Sequence, residues 1–117
     1  MSRVLEAIKA VVPDRDRTYF FSPTSGDTEL DLRDAIQKTS IVVDLAGGVN
    51  GTIILPNVSE AVGVPYSILL RNANSKSVTI KTYGAEDWSD ITLNADDESV
   101  ELVSNGIKYV DREGNYS

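Results

Sequence analysis

The feature that most restricts the fold is a two-residue apolar rhythm that takes over near Thr39 and runs to Tyr109. Val78 and Ile80 alternate with Thr79 and Lys81, and Ile91 and Leu93 flank Thr92. Val100 and Leu102 alternate with Ser99 and Glu101, and Ile107 and Tyr109 flank Lys108. A strand with this alternation has one buried face and one wet face. Ile41 to Leu45, Thr52 to Leu55 and Tyr66 to Arg71 are denser apolar runs of strand length. Gly47-Gly48, Asn50-Gly51, the polar stretch Asn72 to Ser77 and Asn105-Gly106 punctuate these runs with turn chemistry. The spacing predicts a hairpin between Ile41–Leu45 and Thr52–Leu55 through a loop of about five residues, and a last hairpin turned at Asn105-Gly106. The expected domain is mainly β and covers residues 39–112, an antiparallel β-sandwich or barrel-like arrangement of roughly seven or eight short strands. Residues 113–117 are expected to be a tail, and no internal repeat stands out.

Residues 1–38 read differently. Val4, Leu5, Ile8, Val11 and Val12 fall on one face of a helix, with Ser2 placed to cap it and Pro13 to stop it. Asp14 to Arg17 is a charged linker, and Thr18 to Phe21 a short extended aromatic piece. Ser22 to Asp27 reads as loop, with Pro23 and Gly26. Thr28 followed by Asp31 resembles a capping box, and Leu32, Ala35 and Ile36 make a small apolar face, so a second short helix is expected to end near Lys38. The expectation is a short N-terminal helical arm. A helix of this length is marginal alone, so the stripe Val4, Leu5, Ile8, Val11, Val12 must dock on its own core, on a neighbouring subunit or on a larger partner, and the partner surfaces are the expectation.

Composition narrows the chemistry. Hydrophobic residues make up 41% and charged residues 25% of the 117, which suits a globular domain. The formal charge of -7 disfavours phosphate backbones and acidic membrane surfaces, so neither nucleic acid nor membrane is an expected partner. The chain has no cysteine and no histidine, which removes thiol nucleophiles, disulfides and the commonest general base and transition-metal ligand. No catalytic residue, no cofactor and no metal is expected. Met1 to Val12 lacks the unbroken apolar run of a signal peptide, and the chain is expected to be made in a cytoplasm and soluble there.

Several residues still merit weighing as sites. Asp96, Asp97 and Glu98, with Asp87 and Asp90 nearby, offer oxygen ligands for calcium, but without EF-hand spacing a solvated turn is the better reading. Gly47-Gly48 with Gly51 lacks the phosphate-loop pattern and suits a turn. Ser40, Ser67, Ser99 and Ser104 have no histidine partner, and Lys76 and Lys81 sit in patterns that look exposed. Trp88 is expected to be either a lid on the core or an interface anchor. Tyr19, Phe20 and Phe21 cannot all face one side of a strand, so at least one needs cover from beyond the local core and marks a possible subunit interface.

The stretch from Val43 to Val110 contains Ile54-Leu55-Pro56, then Val64-Pro65-Tyr66-Ser67-Ile68, then Val78-Thr79-Ile80, then Leu102-Val103-Ser104-Asn105-Gly106 running to Tyr109. In this order the stretch resembles β-structured virion modules of tailed phages: capsid decoration, head-fibre and tail-fibre proteins. The resemblance covers more than half of the chain and none of its N-terminal arm. It implies a homotrimer without catalytic residues, located on the outer capsid surface of a virion and bound to the major capsid protein or another virion protein. It equally accommodates a fibre domain that grips a host receptor or glycan with outer loops such as 85–90. A carbohydrate-active enzyme using Asp87 and Asp96 is the remaining, weaker expectation.

Overall fold

The computed structural model describes residues 17–83 and 90–115, without the side chains of Glu113 and Asn115. The described residues form nine strands: β1 (Arg17–Phe21), β2 (Glu29–Asp31), β3 (Thr39–Asp44), β4 (Gly51–Leu55), β5 (Pro65–Asn72), β6 (Val78–Thr82), β7 (Ile91–Leu93), β8 (Glu98–Ser104) and β9 (Tyr109–Asn115). The helical stripe Val4 to Val12 lies outside the described residues, as do Asp87 and Trp88.

Strands alternate along the sequence but not in pairing. One sheet has the order β1-β3-β5-β8-β9 and the other β2-β4-β6-β7. From β1 to β6 the chain crosses to the opposite sheet after every strand. Each return therefore brings it back beside its previous strand in the same direction. β1 pairs with β3, β3 with β5, β2 with β4 and β4 with β6, all parallel. The result is a stack of three coils, with Arg17 over Thr39 over Tyr66 in one sheet and Glu29 near Thr52 over Thr79 in the other. Strands β7, β8 and β9 then add antiparallel, so both sheets are mixed and neither closes into a barrel.

Three expectations are corrected by this topology. The sheets are not antiparallel throughout. Ile41–Leu45 and Thr52–Leu55 do not form a hairpin, because β3 and β4 belong to different sheets. The turn chemistry between them is real, but it carries the chain across the sandwich rather than back along the same sheet. The helix expected from Thr28 to Lys38 is also absent, and no helix occurs among the described residues. Glu29, Leu30, Asp31 and Leu32 alternate exposed and covered, a two-residue period, and the Asp31 carboxylate accepts the Arg33 N–H at 3.1 Å. That local bond competes with a helical turn. Ala35 N–H to Leu32 C=O, at 2.9 Å, then closes a tight turn instead. The final hairpin does form, with Ser104 paired to Tyr109, but its loop is the four residues Asn105–Lys108 rather than Asn105-Gly106 alone: Asn105 N–H donates to Lys108 C=O at 3.0 Å, and Ile107 lies exposed in the loop instead of in the strand. β9 runs on to Asn115, through part of the expected tail.

Alternation builds the core. β3, β4 and β8 place every second residue inward, giving Ile41, Val43, Ile53, Leu55, Val100 and Leu102 almost no exposure. Tyr66, Ile68, Leu70, Val78, Ile80 and Leu93 join them in one cluster fed by both sheets. Each such side chain contributes about 1.5–3 kcal/mol on burial, so the cluster dominates stability.

Polar side chains hold the stacked connections in register. Asp44 accepts from the Asn72 amide and from Ala46 N–H, each at 3.0 Å, and Asn74 donates to Leu45 C=O at 3.1 Å. Asn50 accepts from Ser77 N–H at 3.0 Å. At the opposite edge of the sandwich Tyr66 donates to Ala35 C=O, Tyr109 to Pro56 C=O and Ser104 to Val58 C=O. The crossovers thus hang on hydroxyls rooted in the five-stranded sheet.

Candidate binding surface

The outer face of the five-stranded sheet follows from the register. Phe20 lies beside Val42, Val42 beside Leu69, and Leu69 beside Ser99. One row along, Thr18, Ser40, Ser67 and Glu101 are neighbours in the same order. These residues have the parity opposite to Ile41, Ile68 and Val100, so they face away from the core. Phe20 is 75% exposed and Leu69 38%, and Val42 is partly exposed. The apolar row Phe20–Val42–Leu69 therefore meets water beside a row of small hydroxyl residues.

The small serines leave the middle of this face low. A hollow of about 510 Å³ lies there, lined by Ser40, Val42, Ser67, Leu69, Ser99 and Glu101 among others. Its chemistry is a greasy strip, three hydroxyls and one carboxylate on a rigid ladder. Such a surface suits contact with another protein: apolar area supplies attraction and the hydroxyls satisfy polar groups at the margin.

The aromatic trio Tyr19, Phe20 and Phe21 divides as strand geometry requires. Phe21 is buried, Tyr19 packs half-buried against the core, and Phe20 stands out on the outer face. Three of the four weighed serines, Ser40, Ser67 and Ser99, come together at the hollow, whereas Ser104 is buried and bonded to Val58 C=O at 2.6 Å. Lys76 and Lys81 are exposed.

The acidic turn has a structural job. Asp96 accepts from Ala73 N–H at 2.8 Å, and Glu98, itself buried, accepts from Asn94 N–H at 2.7 Å and Ala95 N–H at 3.3 Å. The Asp96 bond ties the β7–β8 turn to the end of β5, and the Glu98 bonds close the turn on itself. No group of three or more metal-ligating side chains occurs among the described residues. Gly47 sits where its backbone presses on Pro23: an added Cβ would lie 2.5 Å from the Pro23 carbonyl oxygen. Val4, Leu5, Ile8, Val11, Val12, Asp87 and Trp88 lie outside the described residues.

Val42 and Leu69 are the surface residues that sequence reading passed over. The signal was present: Ile41-Val42-Val43 and Ile68-Leu69-Leu70 are unbroken apolar runs, with no wet face to spare. Continuous runs mark strands covered on both sides, as central parallel strands usually are. Here the core covers one side, and the other is the open face just described. No family model matches this sequence, and no curated protein does.

Proposed function

We propose that the chain is a non-enzymatic virion structural protein of the capsid-decoration kind, attached to a protein shell through the outer face of its five-stranded sheet. The observation that carries attachment is the exposed apolar row Phe20–Val42–Leu69 beside the serine-lined hollow. A capsid as the setting, and three copies acting together, rest on the likeness of residues 43–110 to tailed-phage modules. Three linked contacts raise the effective concentration of each, so a modest single contact becomes durable. The surplus of negative charge keeps free copies apart until the specific surface captures them.

The test is titration of purified protein onto capsids that lack it, followed by particle imaging. Saturable occupancy in threefold clusters is expected. Phe20→Asp and Leu69→Glu should each weaken occupancy at least tenfold, about 1.4 kcal/mol or more, while circular dichroism stays unchanged. Binding to host-cell glycan with no capsid occupancy would overturn the reading in favour of a fibre domain.

A further inference from the structure

The exposed apolar row Phe20–Val42–Leu69 is one of two on the outer face of the five-stranded sheet. On the other side of the hydroxyl row, Pro65 lies beside Val103 and Val103 beside Val110. These three share the outward parity of Ser67 and Glu101. Pro65 and Val103 are partly exposed, and Val110 is 39% exposed. The polar row Thr18–Ser40–Ser67–Glu101 therefore runs between two apolar rows, each two residues away along the strands. Among the described residues that line the hollow, Glu101 alone is ionisable. Its carboxylate and the hydroxyls of Ser40, Ser67 and Ser99 make no hydrogen bond or ion pair with another described residue.

This arrangement fixes the charge of whatever docks here. A partner that covers both apolar rows covers the polar row between them as well. Glu101 then leaves water, and a carboxylate buried without a counter-charge opposes docking. The partner must therefore bring a cation to Glu101. We propose that this cation is an arginine of the partner protein. Its guanidinium enters the hollow, pairs side by side with the Glu101 carboxylate and donates its remaining N–H groups to the Ser67 and Ser40 hydroxyls. The inference rests on the reading of this face as an attachment surface, and not on a capsid as its setting. Ser40, Ser67 and Glu101 sit on three neighbouring strands, about 4.8 Å apart from one to the next. Acceptors spread in this way suit a planar group with its donors in a fixed fork better than the point charge of a lysine. The hollow of about 510 Å³ has room for the guanidinium, and Val42 and Leu69 offer its stem an apolar wall. A second copy of this chain, packed face to face through the same rows, sets polar row against polar row and supplies no cation there. A neutral glycan supplies none either.

The sign of one substitution tests this. If the partner brings an arginine, Glu101→Gln leaves a guanidinium buried without its counter-charge. Binding to capsids that lack the protein should then weaken at least tenfold, and Glu101→Lys should weaken it further, with circular dichroism unchanged in both variants. If the partner brings no cation, Glu101→Gln removes a buried unpaired carboxylate and tightens binding. Unchanged or tighter binding by Glu101→Gln overturns the proposal and leaves the attachment reading in place. Should the wild type not occupy capsids at all, the capsid setting falls, and a peptide decides the proposal by itself. Acetyl-Leu-Arg-Leu-amide at millimolar concentration should shift the amide signals of Ser40, Ser67 and Glu101 saturably, and Glu101→Gln should abolish the shifts at Ser40 and Ser67. The matching citrulline peptide has the same shape and no charge. Equal shifts from it, or none from the arginine peptide, overturn the proposal.

Discussion

The rings of Tyr66 and Tyr109 meet edge to face, 6.0 Å between centroids and 80° between planes, and their hydroxyls diverge to two different crossovers. Tyr66 donates to Ala35 C=O in the β2–β3 connection, and Tyr109 donates at 2.8 Å to Pro56 C=O in the β4–β5 connection. One aromatic pair thus combines core packing with the anchoring of two successive coils.

Tyr66→Phe should therefore destabilise the fold by about 1–2 kcal/mol, because it leaves the Ala35 carbonyl without its donor. Burial pushes the Tyr66 hydroxyl up from 10.0 to about 12. The folded state holds this proton more tightly than the unfolded state does, so the associated stability is intact below pH 10 and drains away as pH rises from 10 to 12. Urea unfolding of the wild type between pH 9 and pH 12 should show this loss. Tyr66→Phe should flatten that part of the profile, and a profile equally steep in the variant would refute the assignment.

Gly47→Ala should cost about 1–3 kcal/mol, since the new methyl would meet the Pro23 carbonyl oxygen at 2.5 Å, where only backbone can give way. Gly26 has nothing within 4 Å of the equivalent position, so Gly26→Ala should be neutral or slightly stabilising. Thermal melts of the two variants side by side check the contrast.

Glu98→Ala should lose about 1–2 kcal/mol, because the Asn94 and Ala95 N–H groups lose the acceptor they share on the buried Glu98 side chain. The Asp96 and Glu98 carboxylates already accept backbone N–H groups. A calcium chelator should accordingly leave the wild-type melting temperature unchanged, and a clear drop would reveal an ion in that turn.

Leu69→Glu should leave stability within about 0.5 kcal/mol, as an exposed position away from caps and turns. Ile68→Glu, one residue along, should prevent folding by placing a carboxylate in the core. Soluble expression of the first and not the second would confirm which face of β5 is open.

The strands were legible in the sequence, and their partners were not. Two-residue alternation located the strands around Val78, Ile91, Val100 and Tyr109, because burial on one face imposes it directly. A turn signal such as Gly47-Gly48 says only that the chain changes direction, and both a hairpin and a crossover satisfy it. The coil repeat was hidden by unequal coil lengths: Arg17 pairs with Thr39, but Thr39 pairs with Tyr66, a longer step. A bulge after Val43, where Asp44 pairs with Asn72, blurs it further. In the Thr28–Lys38 stretch Leu32, Ala35 and Ile36 carried helical spacing, yet Leu32 is claimed by the core and Ala35 by the Tyr66 hydroxyl. On the outer face, one of Tyr19, Phe20 and Phe21 was foreseen to need cover and the strand register makes it Phe20, whereas Val42 and Leu69 became visible only once pairing set them beside it.

Parallel coils stacked by register have a translational period. A further coil inserted between β4 and β5 would lift the first coil by one strand spacing, about 4.8 Å, and leave the chemistry of both ends as it is. The architecture is in that sense a ruler: its height is set by the number of windings, and evolution or an engineer can change that height in fixed steps.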